Sequence, residues 1–152
     1  MKVEELFPAD HQRIDDILER VLRHEDEINS FAELQHALIR HIYWEEEFLF
    51  PEVEARGLSG PPRIMRVEHG QICRLLEEFE KALGSGQPIR PDRLQGLKRL
   101  LAAHNSKEES VLYPMADTML GQDSLNELLD RIIAAKMPSG WQCLMFKQRE
   151  SD

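Results

Sequence analysis

The sequence predicts an all-α chain: an up-down antiparallel four-helix bundle with a short fifth helix and a C-terminal tail. Three observations carry this. Apolar residues recur at i, i+3, i+4 and i+7 through long segments, short Gly- and Pro-rich stretches separate those segments, and none shows the alternation of a strand.

The first helix is expected from about Pro8 to Glu27, with Ile14, Ile17, Leu18, Val21 and Leu22 on one stripe. The second opens at Ser30, where Ser30-Phe-Ala-Glu33 fits a capping box, and continues to about Ala55. Gly57-Leu-Ser-Gly-Pro-Pro62 ends it and starts the third, because Pro is tolerated in a first helical turn. The third ends near Leu83, before Gly84-Ser-Gly-Gln-Pro88. The fourth begins around Pro91-Asp92 and runs to about Leu120, where Gly121 stops it. Ser124-Leu-Asn-Glu127 opens the short fifth, which ends before Pro138. Each long helix spans on the order of 30 Å, and short connections make sequential helices antiparallel neighbours. Residues 1–120 then form the bundle, and residues 121–152 a short helix and tail packing on it. The apolar stretch Trp141-Gln-Cys-Leu-Met-Phe146 is expected to lie on the bundle or cap one end.

Composition narrows the function. The chain has 152 residues, enough for one sizeable core, and a formal charge of 19 − 28 = −9. An acidic surface repels phosphate backbones and anionic membranes, which argues against nucleic-acid and membrane partners. No apolar run approaches the roughly 20 residues of a membrane helix, and the start MKVEELFPAD has no apolar signal core. The expected address is the cytoplasm. Cys73 and Cys143 are too few for a disulfide scaffold, and a reducing compartment disfavours a bond between them.

The chain contains a duplication. His41-Ile-Tyr-Trp-Glu45-Glu46-Glu-Phe-Leu49-Phe50-Pro51 aligns with His104-Asn-Ser-Lys-Glu108-Glu109-Ser-Val-Leu112-Tyr113-Pro114 at an offset of 63. Asp10-His11-Gln-Arg-Ile14 aligns with Glu68-His69-Gly-Gln-Ile72 at an offset of 58. Two similar helix pairs would pack as a pseudo-two-fold bundle and present the same ligands twice to one interior point.

Residues four apart on a helix lie about 40° apart on one face, so His41 projects with Glu45, and His104 with Glu108. Leu34, Leu38 and Phe48 share the first face, and Leu97, Leu100 and Val111 the second, so both polar pairs interrupt core stripes. An unpaired buried carboxylate is costly, and a metal ion removes that cost. One His-x-x-x-Glu is weak evidence, since it commonly marks a surface ion pair worth about 0.3–0.5 kcal/mol. Two copies in matched segments, each preceded by a matched histidine, point to a metal centre. The expected ligands are His11, His41, Glu45, His69, His104 and Glu108, with the two glutamates as bridges between two ions. Imidazole and carboxylate suit iron or manganese, and zinc less specifically. His24 and His36 each point about 140° from their nearest ligand histidine and are expected to face solvent.

Glu46 and Glu109 lie about 100° from the preceding glutamate and read first as interhelical or solvated charge. Glu109 is the alternative ligand if its helix is distorted before Pro114. Pro51 and Pro114 should kink or end their helices. Tyr43, Trp44, Phe50 and Tyr113 read as packing residues, with hydrogen bonding near the site the alternative for Tyr113. Cys73 reads as a small buried side chain, or else as a thiolate near the metal and an additional ligand.

The pattern His11, His41-x-x-x-Glu45, His69, His104-x-x-x-Glu108, followed by Leu-Phe-Pro and Leu-Tyr-Pro, resembles the hemerythrin-like, or HHE cation-binding, family over roughly residues 6–120. The resemblance implies a four-helix bundle holding a non-haem di-iron centre, two irons per chain bridged by carboxylates. Oxygen carriers of this kind have a fifth histidine four residues after the third-helix one. Here that position is Cys73, and its counterpart in the first repeat is Asp15. The two-plus-two histidine set resembles the branch associated with iron sensing or with peroxide or nitric oxide, and it speaks against reversible oxygen carriage.

The expected function is therefore coordination or sensing of a small oxidant, namely dioxygen, nitric oxide or peroxide, or of iron itself. A catalase- or peroxidase-like enzyme and a non-catalytic iron-dependent regulatory module are the alternatives. A diatomic or peroxide ligand is the expected partner, and the residues indicate no particular protein partner.

Overall fold

The computed structural model describes residues 1–151, with side chains through Gln148. Among the described residues eight α-helices follow in order: α1 Val3–Leu22, α2 Glu27–Trp44, α3 Phe50–Ala55, α4 Gly60–Gly84, α5 Pro91–Lys107, α6 Tyr113–Leu120, α7 Gln122–Ala134 and α8 Leu144–Ser151. Two π-helical turns, Glu45–Leu49 and Glu108–Leu112, join α2 to α3 and α5 to α6 without a break. Among the described residues there is no strand, and no helix is long and apolar enough to cross a membrane.

The four long helices touch in a closed ring, α1 on α2, α2 on α4, α4 on α5 and α5 on α1. Side-chain pairs run in opposite chain directions across every joint. Asp10 meets His41 and Arg20 meets Glu33. Gln35 meets Glu80 and Glu46 meets His69. Glu68 meets His104 and Glu78 meets Arg93. Glu19 meets Lys98 and His11 meets Glu108.

Several expected ends move, each for a traceable reason. Helix α1 begins at Val3 rather than near Pro8, because its free N–H groups are capped from afar. The amides of Val3 and Glu4 donate to the Asp117 carboxylate of α6 at 2.8 and 3.0 Å. It stops at Leu22, and α2 starts early at Glu27 after Asp26, whose φ of 46° turns the chain. Ser30 does not cap α2. It lies inside the helix, and its hydroxyl donates to the carbonyls of Glu25 and Asp26. Ser124 likewise falls inside α7, which starts behind Gly121 at a φ of 78°.

Neither Pro51 nor Pro114 ends its helix. Each is the second residue after a π-turn, and the preceding amides of Phe50 and Tyr113 donate five residues back, to the carbonyls of Glu45 and Glu108. The wider turn gives the Pro ring space that an α-helical carbonyl four residues back would deny it. It also shifts the buried face by one position. Leu49 and Leu112 are buried, whereas Phe48 is half-buried and Val111 is 46% exposed, contrary to the core position expected for Val111.

The apolar core falls into two clusters. One gathers Ile14, Leu34, Leu38, Ile72, Leu76 and Leu97 with their neighbours. The other gathers Phe7, Leu49, Phe50, Met65, Leu112 and Tyr113 with the inner face of α7. Along α1, α4 and the continuous α2–α3 and α5–α6 helices, buried histidines and glutamates stand between the two sets. The C-terminal residues Trp141, Cys143 and Phe146 pack on the first cluster. Leu34, with no exposed surface, tests this core. Leu34→Ala should lower stability by about 2–5 kcal/mol in urea denaturation; a change under about 1 kcal/mol would mean the site collapses freely.

Candidate metal centre

Each long helix contributes one buried histidine to the layer between the clusters: His11, His41, His69 and His104. All four rings are held in the same way. The Nδ1 atom meets a carboxylate from a neighbouring helix, and the Nε2 atom faces Glu45 or Glu108. The outer pairs are His11–Glu109 at 3.2 Å, His41–Asp10 at 2.8 Å, His69–Glu46 at 2.7 Å and His104–Glu68 at 2.8 Å. Lys107 also pairs with Glu68. On the inner side His11 Nε2 lies 3.1 Å from Glu108, His41 Nε2 3.6 Å from Glu45, His69 Nε2 3.1 Å from Glu45 and His104 Nε2 3.3 Å from Glu108. The offsets of 58 and 63 map one half of this network onto the other, outer carboxylates included.

The symmetry breaks at one pair. Phe50 stacks flat on His69, 5.7 Å between ring centres and 10° between planes. Its counterpart Tyr113 carries a hydroxyl into the centre. That oxygen is 2.7 Å from Glu45 Oε2 and 3.0 Å from Glu108 Oε1, and 3.2 and 3.4 Å from the Nε2 atoms of His11 and His41. Its one proton serves one carboxylate at a time.

Glu45 and Glu108 have no exposed surface. Burial pushes a carboxyl up, but His41 and the hydrogen bonds around Glu45 outweigh it and hold Glu45 well below the usual range. Burial pushes the imidazoles down, yet Glu45 and Asp10 raise His41 to about 10, and Glu45 and Glu46 raise His69 to about 10. His104 is raised through Glu108 in the same way. Burial, then the two carboxylates beside it, push the Tyr113 hydroxyl well above its ordinary value, so it stays protonated.

The donor set fits a metal. Ligand atoms of Glu45, His69, His104 and Glu108 lie within 4.8 Å of one another, as do those of His11, His41 and Glu108. Glu108 Oε2 is buried and has no hydrogen-bond partner among the described residues. A buried carboxylate oxygen without a donor is costly, and a cation is what such an atom and four inward-facing imidazoles accommodate. The outer carboxylates fix ring orientation and raise basicity, as they do behind metal-bound histidines generally.

The six expected ligands thus meet in one layer, and His24 and His36 are exposed. Glu109 stands behind His11 with a side chain 44% exposed. Cys73 points elsewhere, with its sulfur 3.3 Å from that of Cys143. Both lie outside the two ligand clusters. Sequence reasoning gave no role to Asp10 and Glu68. Their signal was an acidic residue directly before each matched histidine. It was unreadable because each serves the histidine of another helix rather than its own neighbour.

An all-helical chain with a buried layer of four imidazoles and two carboxylates is a helical cation-binding protein. The Hemerythrin HHE cation binding domain family matches residues 3–116, and the chain belongs to that family. Among curated proteins, a "DNA nickase" of Nostoc sp. strain PCC 7120 is 25% identical over 139 residues, covering 90% of this chain and 39% of that protein. The chain therefore spans well under half the length of that relative. No solved structure matches it significantly.

Removing an outer carboxylate should act on the metal without touching a ligand. Asp10→Ala is expected to weaken metal affinity by about 10–100-fold in a chelator competition, with the helical circular dichroism retained. Unchanged affinity would show that Asp10 does not orient His41.

Proposed function

We propose that the chain holds two iron ions in this layer and coordinates a small oxidant or nitric oxide there. The observation that carries the reading is the convergence of four Nε2 atoms on Glu45 and Glu108, with Glu108 Oε2 left without a donor among the described residues. His11 and His41 would hold one ion, and His69 and His104 the other. Glu108 belongs to both clusters, and Glu45 reaches histidines of both pairs, which supports two carboxylate bridges. Iron is favoured over manganese or zinc by the family. Bound iron would supply an open coordination position and ferrous–ferric exchange.

The opposed contacts at all four joints support an up-down antiparallel four-helix bundle, with residues 121–152 as an added helix and tail. The protein's own residues do the rest. The outer carboxylates fix the rings, Phe7 and Phe50 wall the layer against water, and Tyr113 keeps a proton at its centre. That proton favours one further reading, turnover of peroxide, in which Tyr113 O–H is the donor. DNA nicking is not carried over from the relative, because a charge of −9 opposes a phosphate backbone. A small diatomic or peroxide partner and a cytoplasmic setting complete the proposal.

Anaerobic ferrous loading followed by elemental analysis should give two irons per chain. His41→Ala and His104→Ala should each lose both. One ion per folded chain, or none, would overturn the two-ion reading. Tyr113→Phe separates binding from turnover. If peroxide is consumed catalytically, this variant should keep its iron and slow by about 100-fold; an unchanged rate would remove Tyr113 as donor.

A further inference from the structure

The two cysteines are 70 positions apart in sequence, and their sulfurs are 3.3 Å apart. Cys73 is on α4, one turn beyond His69, half-buried and without a role in the metal layer. Cys143 directly precedes α8 and is buried, with 1% of its surface exposed. We propose that Cys73 and Cys143 are a redox modification site, converted by an oxidant of the peroxide class into an intrachain disulfide that fastens the C-terminal segment to α4.

Several contacts hold the pair in place. The Trp141 indole N–H donates to Glu47 at 3.0 Å, and its ring packs edge-on against Tyr43. The Leu144 amide donates to Glu46 Oε1 at 3.0 Å. On α4, Gly70 gives α8 its room. A Cβ there would sit 2.8 Å from Met145 Cβ, closer than real Cβ atoms come, so only glycine lets the backbones approach this far. The segment is thus anchored on both sides of Cys143. The sulfurs need to close only from 3.3 Å to the bond length of about 2 Å.

Access assigns the order of events, against an electrostatic bias. The neighbouring Cys143 and burial push the Cys73 thiol up, while the hydrogen bond with Cys73 holds the Cys143 thiol down and suits it for the second attack. Cys73 lines a cavity of about 240 Å³ together with Gln35, Glu77, Glu80 and Trp141, whereas Cys143 is buried and does not line it. Glu77 and Glu80, on a chain of charge −9, disfavour an anionic oxidant and leave a neutral one such as hydrogen peroxide. The Cys73 sulfur attacks one peroxide oxygen, the O–O bond breaks, and water leaves with the Cys73 proton. The sulfenic acid on Cys73 is then attacked by the Cys143 sulfur. The S–S bond forms, and the displaced hydroxide leaves as a second water with the Cys143 proton. Two thiols lose two electrons and two protons, and one peroxide becomes two waters. No metal takes part.

The bond would bear on the neighbouring layer through one carboxylate. Glu46 accepts the Leu144 amide on one oxygen and the His69 Nδ1–H on the other. The bond would fix in place the segment that holds Glu46 behind His69.

The test uses the purified 152-residue chain, reduced, treated with a few equivalents of hydrogen peroxide and then alkylated. The expected product is a monomer two hydrogens lighter that takes up no alkyl group. Trypsin without reductant should yield residues 67–74 linked to residues 137–147, and reductant should separate them. Cys73→Ser and Cys143→Ser should each form no intrachain bond and keep a thiol, or a trapped sulfenic acid in the second case. The cross-linked chain should melt several degrees higher than the reduced one, on the order of 5–10 °C. His41→Ala should form the same disulfide, which separates this site from the metal reading. Two alkylatable thiols after peroxide, overoxidation of Cys73 without a cross-link, or a disulfide only between chains would each overturn the proposal.

Discussion

The structure depends on satisfying four imidazoles at once inside an apolar bundle. Each has two ring nitrogens that need partners, and all four rings are buried. The fold answers by giving every Nδ1 a carboxylate from another helix and turning every Nε2 toward Glu45 or Glu108. The cost is a polar layer that divides the apolar core into two clusters. Buried charge of this kind is weak support for stability by itself. Its arrangement makes sense as preorganisation, because the rings are locked from behind and the inner carboxylates have nowhere else to go.

The π-turns let the glutamates do this. An α-helix running on from His41 would have taken Phe48 inward and put Pro51 against a carbonyl four residues back. One extra residue in the turn relieves the proline, rotates Leu49 and Phe50 into the core, and leaves Glu46 able to reach His69 while Glu45 stays at the centre. The same happens at Glu108 and Tyr113. Two turns that look like interruptions are therefore the local geometry that aims two consecutive carboxylates at different nitrogens.

The duplication explains the shared plan and also isolates what is particular to this chain. Phe50 and Tyr113 occupy equivalent positions, but only Tyr113 brings a hydroxyl into the layer. The two halves also differ at their edges. The C-terminal segment lies along α4, touching Glu46, Glu47 and Cys73. It gives the His69 side a second layer of support that reaches back to a thiol pair.

The periodicity of 3.6 residues is a local property, so the sequence by itself determined the helices, the duplication, and the fact that His41 projects with Glu45 and His104 with Glu108. Repetition of that spacing, with one matched histidine before each copy, was enough to collect all six central residues. Only the tertiary structure decided what crosses between helices. The Asp10–His41, Glu109–His11 and Cys73–Cys143 contacts join residues 31, 98 and 70 positions apart, and the Asp117 cap on α1 spans 114. Such contacts depend on how far each helix is rotated and slid against its neighbour. An unbroken helical wheel misjudges that rotation after a π-turn, which is why it places Val111 inward although the residue is 46% exposed. Side-chain identity sets which groups share a face, and packing of whole helices sets which faces meet.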